Sequence, residues 1–201
     1  MLLLAFAFVG CGGDNPPPPD TSDLSPAPAP SGVDISSVTA AIAATAPKSS
    51  VITTSINSEY GKLEGRFSVT YNADSSSVIA YSYEQFNEVN SDNAGQPMKE
   101  TVSGTATVNA NGTVSGGVGA NVASLAKMAL NLDVKNMTDE KIEGGVLSAT
   151  VPKEFTASVF GVDLGADAIL VITTSFGKVV SIAVSYTLPV GEAKISCVYN
   201  N

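Results

Sequence analysis

The chain has 201 residues, 44% of them apolar, and sets 19 acidic side chains against 10 basic ones, a net charge of −9. That balance argues against a nucleic-acid partner, which needs clustered Lys and Arg. Histidine is absent, which removes the usual general base and the commonest transition-metal ligand, and two cysteines cannot form an all-thiolate zinc site.

Only 14% of residues are charged, and the abundance of Gly, Ser, Thr, Val and Ala points to a β-rich extracytoplasmic domain. Met1 to Gly10 form an unbroken apolar run. It is too short to span a bilayer as a helix, which takes about 20 residues, and it ends in small residues as a secretory signal does. The segment Phe8-Val9-Gly10-Cys11 resembles the bacterial lipobox. That resemblance implies a signal peptide over residues 1–10, diacylation (palmitate-type) of Cys11, and an extracytoplasmic protein anchored by lipid in the cell envelope. No Lys or Arg precedes the apolar run, so the true start codon is expected upstream.

Residues 11–33 read as a tether. Seven of the eleven prolines fall between Pro16 and Pro30, and no basic residue interrupts them. Such a stretch favours polyproline II at about 3.1 Å per residue, so fifteen residues hold a domain up to ~45 Å from a membrane. If Cys11 carries lipid, Cys197 has no partner in the chain. It sits in an apparent strand without histidine, where cysteine acts as a small buried hydrophobe.

Residues 34–201 are expected to form a single α+β domain. Asp34 precedes Ile35, Val38 and Ile42 on one helical face, and Pro47 marks the stop. Strands follow at 51–60, 63–71 and 77–86, the second alternating Leu63, Gly65, Phe67, Val69 and Tyr71 against polar residues. Residues 88–98 are loop-like, 101–109 alternate again, and Asn111-Gly112 is a strong hairpin signal before a short strand at 113–118. Asn121 caps a helix to residue 129, and Leu130, Leu132 and Val134 suggest a strand, as do residues 142–151. Pro152 opens a two-turn helix closed by Gly161, and strands at 168–175, 178–188 and 192–199 end the chain.

The two ends of the domain share a pattern. Val51 to Ser55 recurs as Val171 to Ser175, Phe67 to Tyr71 matches Ile182 to Tyr186, and Tyr83 matches Tyr199. A duplicated helix-plus-meander over 34–83 and 152–199 would explain it; composition alone is the competing account. The total is about eight or nine strands with two or three short helices, in a curved antiparallel sheet or open half-barrel. With an acylated N-terminus this architecture resembles the LolA/LppX-type lipoproteins and carriers, which implies a hollow for acyl chains or lipids.

Catalytic motifs are weak. Glu84 and Glu88, with Asp92 and Glu100 nearby, are the main carboxylates open to acid–base work or weak Ca²⁺ binding, yet the order of a calcium loop is missing. Asp163 and Asp167 fit turn chemistry. S-x-x-K occurs at Ser124 to Lys127 and Ser175 to Lys178, and Ser91-Asp92-Asn93 matches a second motif of penicillin-binding enzymes, but K-T-G is absent. The chain is therefore read as non-enzymatic and free of cofactor or metal. Aromatics crowd the first meander, so Phe67, Tyr71, Tyr81, Tyr83 and Phe86 are the candidate wall of an apolar or lipid-like ligand site, or plain core. The alternative is a structural or interaction module presenting a β-surface to an envelope protein or glycan.

Overall fold

The computed structural model describes residues 35–86, 98–116 and 132–201. The signal and tether regions with Cys11, the expected helix at 121–129 and most of the loop at 88–98 lie outside the described residues. In chain order the elements are α1 (Ile35–Ala44), β1 (Ser49–Ser58), β2 (Gly61–Tyr71), β3 (Ser77–Phe86), β4 (Lys99–Val108) and β5 (Val114–Ser115). Then come β6 (Thr138–Glu143), β7 (Val146–Val151), a 3-10 turn (Lys153–Phe155), α2 (Thr156–Phe160), β8 (Ala168–Ser175), β9 (Lys178–Leu188) and β10 (Gly191–Asn200).

All ten strands join one open antiparallel sheet in the order β5-β4-β3-β2-β1-β10-β9-β8-β7-β6. The fold is thus β-rich α+β, with ten strands rather than eight or nine. Gly144-Gly145, whose φ values of 57° and 82° make a turn, splits the expected strand 142–151 into β6 and β7. The alternation of Leu132 and Val134 does not make a strand: 132–137 is a turn region, and these side chains with Met137 are buried in the core. Their apolar spacing reports burial, which a packed loop shares with a strand.

Register explains the core. Directly opposed residues in an antiparallel pair share a face. The row Tyr81–Phe67–Ile52–Cys197–Ile182–Ile172–Leu147 therefore runs across seven strands on one side. Every member is buried. Both helices cover this face. Val38 and Ala41 of α1 and Val159 and Phe160 of α2 enter the same cluster. Thr45 pins the end of α1: its Oγ1 donates to Ala41 O (2.6 Å) and accepts from Val179 N–H of β9 (2.8 Å). At α2, Gly161 takes the left-handed conformation (φ 71°) that ends the helix.

The sequence repeat does not become a rotated copy in space. The matched strands β1-β2-β3 and β8-β9-β10 succeed one another across the sheet in the same sense, yet β1 and β8 stand three positions apart and so run in opposite directions. A rotation that keeps the order and reverses the strands turns the sheet over. The matched residues Ile52 and Ile172, and Phe67 and Ile182, nevertheless all lie on the covered face.

Candidate functional site

The aromatic candidates separate into three places. Phe67, Tyr81 and Tyr83 lie together on the covered face: Phe67 and Tyr83 stack at 6.3 Å between ring centroids, and Tyr81 and Tyr83 at 5.9 Å. Phe86 does not join them. It has the opposite strand parity and packs on the other face, edge-to-face with Tyr60 at 6.1 Å. Tyr71 stands at the far end of β2, where its hydroxyl hydrogen-bonds Ser50 Oγ at 2.9 Å.

Two glycines stand opposite the tyrosines: Tyr81 faces Gly104 across β3–β4, and Tyr83 faces Gly65 across β2–β3. A Cβ on Gly104 would meet Tyr81 Oη at 2.5 Å and Cζ at 2.8 Å; one on Gly65 would meet Thr54 Oγ1 first, at 2.5 Å, then Phe67 Cε2 at 3.1 Å and Tyr83 Cβ at 3.2 Å. The Tyr81 ring thus lies over Gly104, while the space above Gly65 is taken by Thr54 and the edge of the Phe67 ring. A glycine inside a strand commonly marks such a close approach. This end of the covered face is also its least shielded part: Gly104 is exposed and Tyr83 and Val102 are half-buried. Beside them Gln85 Nε2 donates to Glu100 Oε1, a directly opposed pair on the same face. Burial raises the Tyr83 phenol pKa, and nearby Tyr81 and Glu100 add to it.

A second polar group lies deeper. Ser50, Tyr71, Cys197 and Tyr199 gather on the covered face near α1. Cys197 is 1% exposed, and burial pushes its thiol up while Tyr199 and Ser50 pull the other way. Burial likewise raises Tyr71 to about 12 and raises Tyr199 and Tyr186. Among the described residues the hydroxyl of Tyr186 is buried without a hydrogen-bond partner, whereas that of Tyr199 faces the Cys197 thiol. A raised thiol pKa is the reverse of what a nucleophilic cysteine requires.

The carboxylates are occupied with structure. Glu84 Oε1 pairs with Lys99 Nζ (2.9 Å) and its Oε2 accepts from Glu64 N–H (2.9 Å); the Lys99 hydrogen bond holds its pKa low, not high as a general acid requires. Glu88 lies outside the described residues. Asp163 accepts from Gly165 N–H (2.8 Å), and Asp167 from Lys153 N–H (2.8 Å) at the start of the 3-10 turn. A surface depression of about 470 Å³ borders Asp167, Ile169, Tyr186, Thr187 and Glu192, none of them among the Phe67, Tyr81 and Tyr83 rings. Among the described residues no group of three or more acidic or cysteine ligands could hold a metal ion, and no helix is long and apolar enough to cross a membrane. No protein-family model matches the chain, and comparison with curated proteins finds no match.

Alternation places Phe67, Tyr81 and Tyr83 on one face; Gly104, a glycine inside an otherwise regular strand, is the sequence signal of the notch under Tyr81.

Proposed function

We propose that this chain is a lipid-anchored protein of the bacterial cell envelope whose domain binds an apolar or lipid-like ligand without catalysis. Cys11 carries the lipid, residues 11–33 hold the domain off the membrane, and the sheet acts as an open half-barrel whose hollow receives the guest. The observation that carries this reading is the ring cluster Phe67–Tyr83–Tyr81, with Tyr81 laid over Gly104 and Tyr83 half-buried at the margin. Half-buried Tyr83, backed by the buried rings of Phe67 and Tyr81, offers apolar contact area on a rigid support.

The test is native mass spectrometry of the chain purified from its own host. A co-purifying lipid, lost in a folded Tyr83→Asp variant, is expected; a clean apo mass refutes the reading. Cys11→Ala is expected to release the chain from the membrane fraction. A second reading, an interaction module for an envelope protein or glycan, is favoured by the outer face, where Thr53, Ser68, Ala80, Ser82 and Ala183 are exposed and small. A protein or glycan ligand recovered in place of lipid supports that reading.

A further inference from the structure

The two margins of the sheet are built differently. β6 is a blunted edge: its pairing with β7 shifts between Thr138 and Lys141, Asp139 takes φ 52°, and Asp139, Glu140, Lys141 and Glu143 charge it. Bulges and charges of this kind discourage strand addition. At the other margin β5 is two residues long and pairs only with Thr107 and Val108 of β4. Gly116 lies against Thr105, since a Cβ there would meet Thr105 O at 2.6 Å. Among the described residues no strand lies beyond β4 from Lys99 to Gly104.

Which backbone groups face outward from that stretch follows from the hairpin after it. Asn109 N–H bonds Thr113 O at 2.9 Å, toward β5. Successive residues of a strand point their N–H and C=O groups to opposite sides. Thr107, Thr105, Ser103, Thr101 and Lys99 therefore point the same way as Asn109, and Val108, Ala106, Gly104, Val102 and Glu100 bond β3. The β2–β3 turn agrees: Asn72 N–H bonds Ser76 O, so even-numbered residues of β2 and β3 bond one another, which leaves the odd-numbered ones of β3 to bond β4. Among the described residues, Lys99, Thr101 and Ser103 present N–H and C=O groups to a margin where no strand pairs with them.

We propose that this edge pairs with the same edge of a second copy of the chain, antiparallel about a two-fold axis at Thr101. The open groups are symmetric about Thr101. Self-pairing sets Thr101 opposite Thr101 and Lys99 opposite Ser103, and joins every outward N–H to an outward C=O. Glu100 then faces Val102 of the second copy, so no like charges oppose each other. Gly116 and β5 cover β4 from Thr105 onward, where the incoming β4 begins at Lys99, and so fix the register. Such an interface is isologous, the self-complementary kind a closed dimer requires.

The pairing predicts a cross-link. Opposed residues of a hydrogen-bonded pair lie about 5.5 Å apart at Cα, within disulfide range. In full-length Cys11→Ala chain, Thr101→Cys is expected to form a disulfide-linked dimer under mild oxidation, whereas Ser68→Cys, exposed on β2 away from the axis, stays monomeric. Adding Ser103→Pro removes one outward N–H, no backbone bond to β3 and only the exposed hydroxyl bond from Ser103 Oγ to Ser82 Oγ (3.0 Å), so the dimer is expected to vanish with the melting temperature within about 4 °C of the parent. Sedimentation of the parent should give twice the monomer mass, reverting to monomer with Ser103→Pro. A folded Thr101→Cys chain that yields no dimer, equal cross-linking through Ser68→Cys, or a dimer that survives Ser103→Pro overturns the proposal. A failed lipid test leaves all of these readouts unchanged, so the two readings fail separately.

Discussion

Gly104 is the most direct test of how the ring wall is made. Its backbone does not use the left-handed region, so alanine there meets only the Tyr81 ring: 2.5 Å from Oη and 2.8 Å from Cζ. Tyr81 is 8% exposed, so its ring must leave the notch by disturbing the stack with Tyr83. Forcing one extra carbon into a packed site costs about 1–3 kcal/mol, and replacing a strand glycine by alanine returns about 0.5–1 kcal/mol. Gly104→Ala should therefore destabilise by ~1 kcal/mol, a fall in melting temperature of roughly 2–4 °C for a domain of this size. In a Tyr81→Ala background the obstructing ring is gone. The same substitution should then stabilise by about 0.5–1 kcal/mol. Urea unfolding of the four chains closes the cycle, and the sign reversal measures the coupling of ring to notch. If Gly104→Ala stabilises the parent chain, or if the two changes simply add, the rings do not depend on the glycines and the account of the wall fails.

Two other outcomes follow from the buried hydroxyls. Tyr186→Phe removes a buried hydroxyl that lacks a partner, so it should leave stability unchanged or raise it by about 1 kcal/mol; Tyr71→Phe takes away the partner of Ser50 and should cost about 0.5–1.5 kcal/mol in the same denaturant titration. An equal loss of stability in both would mean that the Tyr186 hydroxyl is satisfied after all. At alkaline pH the fold keeps protons that the unfolded chain releases near 10, because burial holds Tyr71 at about 12 and raises Tyr186 and Tyr199. Their contribution is complete below pH ~10 and is lost as pH rises through about 12. Phenolate absorbance from these tyrosines should thus appear together with loss of circular dichroism; ionisation near pH 10 with the sheet intact contradicts the burial argument.

What could be read in the sequence was mostly local. Alternation over Leu63 to Tyr71 and Ile79 to Tyr83 placed their side chains on one face, and Asn111-Gly112 gave the hairpin, because each depends on near neighbours in the chain. The central pairing of β1 with β10 joins Ser49 to Asn200; alternation tells which face a residue takes and says nothing of which strand lies alongside. Phe86 was grouped with the other rings on composition, although its parity already set it opposite Tyr81 and Tyr83. The Gly144-Gly145 turn was overlooked because the apolar residues on either side continue a plausible strand. Gly104 fits the alternation as a small residue, yet its lack of a side chain is what admits the Tyr81 ring.

The two halves of the sheet divide the work of stability and access. On β7 to β9 the covered face is sealed: Leu147, Val151, Leu170, Ile172 and Ile182 are all 0% exposed. On β3 and β4 the same face ends in half-buried Tyr83 and Val102 and exposed Gly104. Packing of the sealed half tolerates little change, since a large-to-small substitution there leaves a cavity and costs about 2–5 kcal/mol. Half-buried Tyr83 carries less of that burden than buried Phe67 and Tyr81, so its chemistry can vary without loss of the fold. Leu170→Ala should therefore lower the unfolding midpoint strongly wherever the ring wall is intact. Tyr83→Ala should remove less stability and more of any capacity to hold an apolar guest. The physical basis is that one sheet supplies both a rigid floor, anchored by α1 through Thr45 to β9, and a margin left partly uncovered.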